Sequence, residues 1–423
     1  MKRMHMSLTA MLCLVYTVAT AQQEIPLNST NPNFRSLKKA LAGTQVVGMG
    51  EATHGTHECF TMKSDMFKFL VEEMNYSVFA IEDGIYGANM INTYILTGKG
   101  DPKQILKDEF HTVWQVTELT DLIEWMKDYN THHTRKLTFA GFDSQQMDSY
   151  VRALTTFEAQ YKTNIFTPFT DYDGEGTDSI NDAMHMARDI VDSVLRTLPP
   201  KPAMVPDTAW EQANWMINNI SAALHQFNEK DWMLALNTRD SMMALNIRHL
   251  SKLHPGEKIM LWAHNAHIGR QHGMVSFTTM GENLKQHYGK AYTNIGFATS
   301  AGTYRAAIAN ADSMKMDNVL KPAGPGTAEY VLQQKGIPCF LLPLHTSSLQ
   351  GQFRVVGVFA SDYQFSEKPV KLADLFDWLI YINKTTAAVS LWIRPPSPSS
   401  HSAAPVQSDW QKLHPLHLFH TLR

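Results

Sequence analysis

Cysteine is scarce, with three in 423 residues. Cys13 falls in an apolar N-terminal stretch, which leaves Cys59 and Cys339. Two cysteines make no disulfide framework, and no cysteine-based metal motif is present. No long Lys/Arg run occurs and the formal net charge is −3 at pH 7. Nothing therefore argues for nucleic acid or an anionic membrane as a partner. Gly48-Met49-Gly50 is not followed by Gly-Lys-Ser/Thr, so it is no phosphate loop. The absence of Gly-x-Ser-x-Gly disfavours a serine nucleophile on a strand-to-helix elbow. The apolar stretch at residues 8–18 is short for a membrane span. With Lys2-Arg3 before it and Ala19-Thr20-Ala21 after it, residues 1–21 read as a secretory signal. The mature chain is then expected to be secreted or periplasmic, without stable membrane insertion.

Hydrophobic residues make up 44% of the chain, enough for a large core. Apolar runs at 45–49, 78–81 and 136–141 read as buried strands. Helical spacing separates them, at 60–74, from 85 to about 96 (closed by Gly98-Lys99-Gly100), and at 119–129. Strands alternating with helices predict an α/β fold with a mostly parallel sheet flanked by helices. Residues 22–148 form its first part. Residues 149–250 are dominated by helical periods and read as a helical insertion. Strands return in the second part, 251–387, at 258–263, 291–299, 304–309, 339–342, 355–359 and 378–382. Residues 388–423, rich in Pro, Ser and His toward their end, are expected to be a disordered tail.

The chemistry concentrates at strand ends, where open α/β sheets present their ligands. Residues 46–58 run from an apolar strand through a glycine turn into Glu51, His54, His57 and Glu58. Glu51 and His54 are three apart, so one face of a starting helix could carry both. A carboxylate beside an imidazole fixes its tautomer and makes it a general base for water. The other reading is a capping acid beside a surface histidine. Glu82 and Asp143 close the next two strands, where each is either a cleft residue or a solvated turn. His264 and His267 follow the strand at 258–263, with Trp262 and Asn265 as aromatic and polar lining. His-x-x-His with distant carboxylates could hold zinc or manganese, but no His-Glu-x-x-His motif is present. No cofactor is required, and a divalent metal stays open. Cys59 reads as a core residue.

Together these motifs resemble the erythromycin esterase family. The resemblance rests on Gly50-Glu51-Ala52-Thr53-His54-Gly55-Thr56-His57-Glu58, Ala80-Ile81-Glu82 and Gly98-Lys99-Gly100-Asp101. It continues in Trp114…Glu118, Trp125…Asn130, Phe139-Ala140-Gly141-Phe142-Asp143 and Arg239-Asp240…Met243. Trp262-Ala263-His264-Asn265-Ala266-His267 and the echoes Ile295-Gly296-Phe297 and Phe376-Asp377 complete it, over about residues 30–387. It implies a hydrolase with a cleft open to bulky lactones, a small-molecule ester as partner, and a link to macrolide resistance. Carried over by motif, His54 is the general base, Glu51 and Glu82 position it or the water, and His264 and His267 polarise the ester carbonyl. Lys63, Trp262, Asn265 and Asp143 are expected on the substrate side. One departure stands out: the family's resistance esterases carry Arg where this chain has Lys63, and Lys lacks the planar fork. Two alternatives remain: a metal-dependent hydrolase, and a non-catalytic envelope or carbohydrate-associated protein on the same scaffold.

Overall fold

The computed structural model describes residues 24–270, 277–307, 314–361 and 364–392. The signal segment expected at 1–21, and the tail expected beyond 392, lie outside the described residues. In chain order the elements are β1 (Ile25–Pro26), β2 (Val46–Met49), α1 (His57–Met74), β3 (Tyr76–Gly84), α2 (Ile85–Thr97), α3 (Pro102–Glu109), α4 (Thr117–His132) and β4 (Thr138–Asp143). Next come α5 (Met147–Tyr161), α6 (Thr167–Thr170), α7 (Ile180–Arg196), α8 (Asp207–Asn228), α9 (Trp232–Leu253), β5 (Lys258–Trp262), α10 (Asn265–Ile268) and α11 (Met280–Tyr288). The chain closes through β6 (Tyr292–Ala307), β7 (Met314–Leu320), α12 (Ala328–Gln333), β8 (Cys339–Pro343), β9 (Gln350–Gly351), β10 (Val370–Lys371), α13 (Leu372–Leu375) and β11 (Trp378–Thr385).

The main sheet runs β1-β8-β11-β6-β2-β5-β3-β4, with β7 also paired to β6. From β11 to β4 all neighbours are parallel, while β8, β1 and β7 pair antiparallel. The alternation of side chains along each strand feeds two cores. Val47, Met49, Phe79, Ile81, Met260 and Trp262 pack with α1, α2 and α4 on one face. Val46, Val78, Ala80, Ile259 and Leu261 pack with α9 and α11 on the other. Each such side chain removed from water contributes roughly 1.5–3 kcal/mol. α1 buries Phe60, Met66, Phe67, Leu70 and Val71, spaced three and four apart, and stops at Asn75 with φ 63°. The segment between β4 and β5 is entirely helical, with its own core around Tyr150, Leu154, Val191 and Ile217.

Three expectations are corrected. The strands at 291–299 and 304–309 are one strand, β6, up to Ala307. It passes through Gly302 at φ 133°, where a Cβ would lie 2.0 Å from the Thr385 carbonyl oxygen, so only glycine lets β11 and β6 pass this closely. Residues 355–359 form no strand. They make one isolated bridge, Ala307 with Phe359, and Val356 is buried in a small cluster with Tyr304, Ala306 and Leu320. The tail does not begin at 388, since Ala388 is buried and residues 386–391 are hydrogen-bonded to the body.

The turn after β2 is held close to β6. A Cβ on Gly55 would lie 1.9 Å from the Arg305 carbonyl oxygen. Gly55→Ala is expected to lower unfolding free energy by about 1–3 kcal/mol in denaturant melts; unchanged stability would contradict this packing.

Candidate active site

Four adjacent parallel strands, β2, β5, β3 and β4, deliver the site at their C-terminal ends. Backbone bonds lock the two histidine segments together: Ala263 N–H donates to Met49 O at 3.2 Å, and Asn265 N–H to Glu51 O at 3.1 Å. Glu82 Oε2 accepts the His264 N–H at 2.8 Å, tying β3 to the same corner.

Glu51 lies at the bottom, with no exposed surface. Its Oε2 takes a hydrogen bond from Lys63 Nζ, and the Trp262 indole N–H donates to the same oxygen at 3.0 Å. Lys63 is also fully buried, on α1, with Nζ 4.4 Å from the centre of the Trp262 ring. Burial holds the Lys63 ammonium below its ordinary pKa, against the opposing pull of Glu51. The other carboxylate oxygen, Oε1, lies 2.7 Å from His54 Nδ1, close enough for an ion pair but off hydrogen-bond alignment. His54 keeps 8% of its side chain exposed, and Nε2 is held by no described residue. Its ring stands 4.9 Å from that of His264 and edge-on to Trp114 at 5.9 Å.

A second charged group gathers around Glu82, whose carboxylate also feels the charge of His54. Arg239, from α9, reaches Asp143 through Nε at 3.2 Å and Nη2 at 2.6 Å, and Glu82 Oε1 through Nη2 at 2.8 Å. Its Nη1 lies 3.1 Å from His267 Nε2. His267 Nδ1 donates to Asp240, 2.9 Å from Oδ2, and Nε2 is 3.2 Å from Glu82 Oε1. Nε2 therefore accepts from Arg239 when neutral and donates to Glu82 when protonated. Burial pushes the His267 pKa down, but the Asp240 and Glu82 carboxylates outweigh it and raise it overall. Burial alone would raise the Glu82 carboxyl, yet the charges of His267, Arg239 and His54 hold it well below the carboxylate range. The Arg239 guanidinium depresses Asp143 in the same way, again against burial.

Glu51, His54, Glu82, His264 and His267 thus come together. The other expectations need correction. Lys63, Trp262 and Asn265 have no exposed surface, and Asp143 has 1%, so none of them touches a substrate here. Lys63 and Trp262 hold Glu51, and Asp143 holds Arg239. Both amide atoms of Asn265 bond the Phe297 backbone. His264 is also differently employed. Its Nδ1 caps α10 by accepting the Ala266 N–H at 3.2 Å, and Nε2 donates to Val356 O at 3.1 Å. Burial, then the charges of His54 and His267, keep it neutral, well below the ordinary histidine pKa. Both of its nitrogens are thus engaged by backbone groups. His57 turns away to Glu118 and Glu58 to Thr386. Cys59 is buried and free, with a thiol pushed up by burial. Arg239 and Asp240 were motif residues without a role; only the fold shows that they organise half of the site.

The family model described as erythromycin esterase matches residues 71–385. The chain belongs to the erythromycin esterase family. It is 24% identical to the putative hydrolase YbfO of Bacillus subtilis (strain 168), over 86% of this chain and 88% of that one. It is equally 24% identical to the type II erythromycin esterase of Escherichia coli, covering 86% and 97%. A solved structure of a histidine-substituted erythromycin esterase EreC, in its open conformation, superposes with a TM-score of 0.68 at 16% identity, covering 88% and 100%. The chain is accordingly a hydrolase of the erythromycin esterase family, with that family's α/β fold.

Two outcomes test the site's electrostatics. Lys63→Met leaves Glu51 charged, buried and unpaired, and is expected to cost about 3–5 kcal/mol in unfolding free energy; a loss below about 1 kcal/mol would mean the pair is not a buried ion pair. Glu82 and Asp143 have depressed folded values, so their stabilisation is complete above the ordinary carboxylate range and is lost as pH falls below it through their lowered folded values. His267, raised, acts oppositely, and its share is lost as pH rises through its folded value. Arg239→Gln is expected to flatten the acid limb of the stability–pH curve; an unaltered limb would contradict the assignment.

Proposed function

We propose that this hydrolase cleaves a carboxylic ester, with a lactone as the substrate class, by His54-assisted attack of water. The observation that carries the reading is the disposition of His54. One ring nitrogen is backed by the buried Glu51 and the other is held by no described residue, while Glu82 feels the charges of His267, Arg239 and His54 together. His54 Nε2 takes a proton from water as it attacks the carbonyl carbon. Glu51 balances the imidazolium that forms, and a small ring rotation aligns their hydrogen bond, as commonly happens between free and substrate-bound enzymes. Charge developing on the carbonyl oxygen is met by the positive field of the Arg239 guanidinium and of His267 in its protonated form, without a direct hydrogen bond from His267, whose N–H groups stay on Asp240 and Glu82. The proton then passes to the departing alkoxide, and no covalent intermediate is needed.

The scheme routes nothing through a metal. His264 has both nitrogens on backbone atoms and His267 is held between Asp240 and Glu82, which argues against the zinc alternative. The full acid/base set argues against a purely binding role. The sequence pattern at residues 1–21 supports a secreted or periplasmic location, where a macrolide-hydrolysing enzyme would intercept the drug before entry.

The test is mass spectrometry of a macrolide and simple-lactone panel incubated with the protein. Addition of one water to a substrate is expected, with a rate about 10²–10⁴-fold lower in His54→Ala and unaffected by EDTA. Retained turnover in His54→Ala would remove the base, and loss on chelation would favour the metal-dependent alternative.

A further inference from the structure

His54 sits on a loop with little structure of its own, and residues 386–391 hold it in place. After β11 ends at Thr385, the chain runs between two segments that flank the His54 ring. On one side it binds the three residues that follow His54. His57 N–H donates to Thr386 O at 2.9 Å, Thr56 bridges Ala387, and Ala388 N–H donates to Gly55 O at 2.9 Å. The Glu58 carboxylate accepts from both Thr386 N–H, at 2.7 Å, and its hydroxyl, at 2.8 Å. On the other side it binds the residues just after Trp114, whose ring edge meets His54. Thr117 N–H donates to Val389 O at 2.9 Å, Val116 bridges Ser390, and Leu391 N–H donates to Gln115 O at 3.1 Å. Glu118 joins the two halves. Its Oε1 accepts the Val389 N–H at 3.0 Å and lies 2.6 Å from His57 Nδ1.

Resting on His54 as the base, we propose that residues 386–391 are a positioning strap for the catalytic loop, and that Glu118 is the positioning residue that couples strap to loop. The strap's hydrogen bonds go to the backbone immediately C-terminal to His54 and to the residues after Trp114, while Ala388 and Leu391 pack on the core. Gly55 O receives two donors, Arg305 N–H and Ala388 N–H. Buried backbone groups need such partners, and releasing them lets the loop move. A displacement of about 1 Å at a reacting group costs on the order of 10²-fold in rate.

The experiment compares the full chain with Glu118→Ala, Glu118→Gln and a chain ending at Trp392. Diethyl pyrocarbonate modification of His54 is measured against that of His267 in the same sample by peptide mass spectrometry, and 4-nitrophenyl butyrate hydrolysis is followed in parallel. Glu118→Ala is expected to raise the His54/His267 modification ratio several-fold. It is also expected to lower kcat by about 10–100-fold with KM within about twofold. Glu118→Gln, which keeps the acceptor, and the chain ending at Trp392, which keeps the strap, are expected to match the parent. Should Glu118→Ala fail to fold, Val389→Pro, which removes the N–H that reaches Glu118 and stiffens the strap at that residue, is used and the same ratio decides. An unchanged ratio overturns the strap while leaving the role of His54 intact. A raised ratio alongside full hydrolysis by His54→Ala upholds the strap and removes the base.

Discussion

The cleft depends on a carboxylate that has no contact with water. Glu51 is buried beneath His54 and remains useful only as an anion, because only an anion steadies an imidazolium. Lys63 and the Trp262 indole N–H both donate to its Oε2. A buried ion pair of this kind adds little net stability compared with apolar residues of the same size. Its value is directional, since it fixes one charged oxygen 2.7 Å from His54 Nδ1 at the end of a rigid strand. Lys63 therefore lies beneath His54 as a support for Glu51, with no surface of its own.

The opposite wall solves a related problem with different residues. Four carboxylates, Glu51, Glu82, Asp143 and Asp240, share the site with two basic side chains, Lys63 and Arg239. The surplus of negative charge favours a proton on His267, and Asp240 settles which nitrogen faces outward. His264, between the two groups, is kept neutral and used as a helix cap. Three histidines on neighbouring strand ends thus take three states: one backed by a carboxylate with a nitrogen unheld, one neutral and structural, one poised between an acceptor and a donor. The site needs a rigid frame to keep these states apart, and two buried sheet faces supply it.

Much of this was readable from local pattern. The strands carrying Glu51, Glu82, Asp143 and His264 are short apolar runs, and their polar ends stood out because such residues are rarely buried without a purpose. Side-chain partners were not readable. Arg239 lies within a long helix and meets Asp143 across 96 positions of sequence, a distance that no periodicity records. Lys63, Trp262 and Asn265 looked like lining because they flank the motifs, yet helix and strand phase turns them into the core. The apolar run at 355–359 suggested a strand; burial of Val356 explains the composition without any ladder. The Thr386–Leu391 segment carries no motif, and its role follows from where β11 ends.

The central claim is that His54 meets water through Nε2 while Nδ1 carries its proton toward Glu51. Long-range ¹H–¹⁵N NMR of the histidine-labelled protein, with His54 assigned by its disappearance in His54→Ala, reads that tautomer directly. The account expects a neutral imidazole protonated at Nδ1, with Nε2 bare. A neutral ring protonated at Nε2 would contradict it, because the nitrogen facing the substrate could then accept no proton from water.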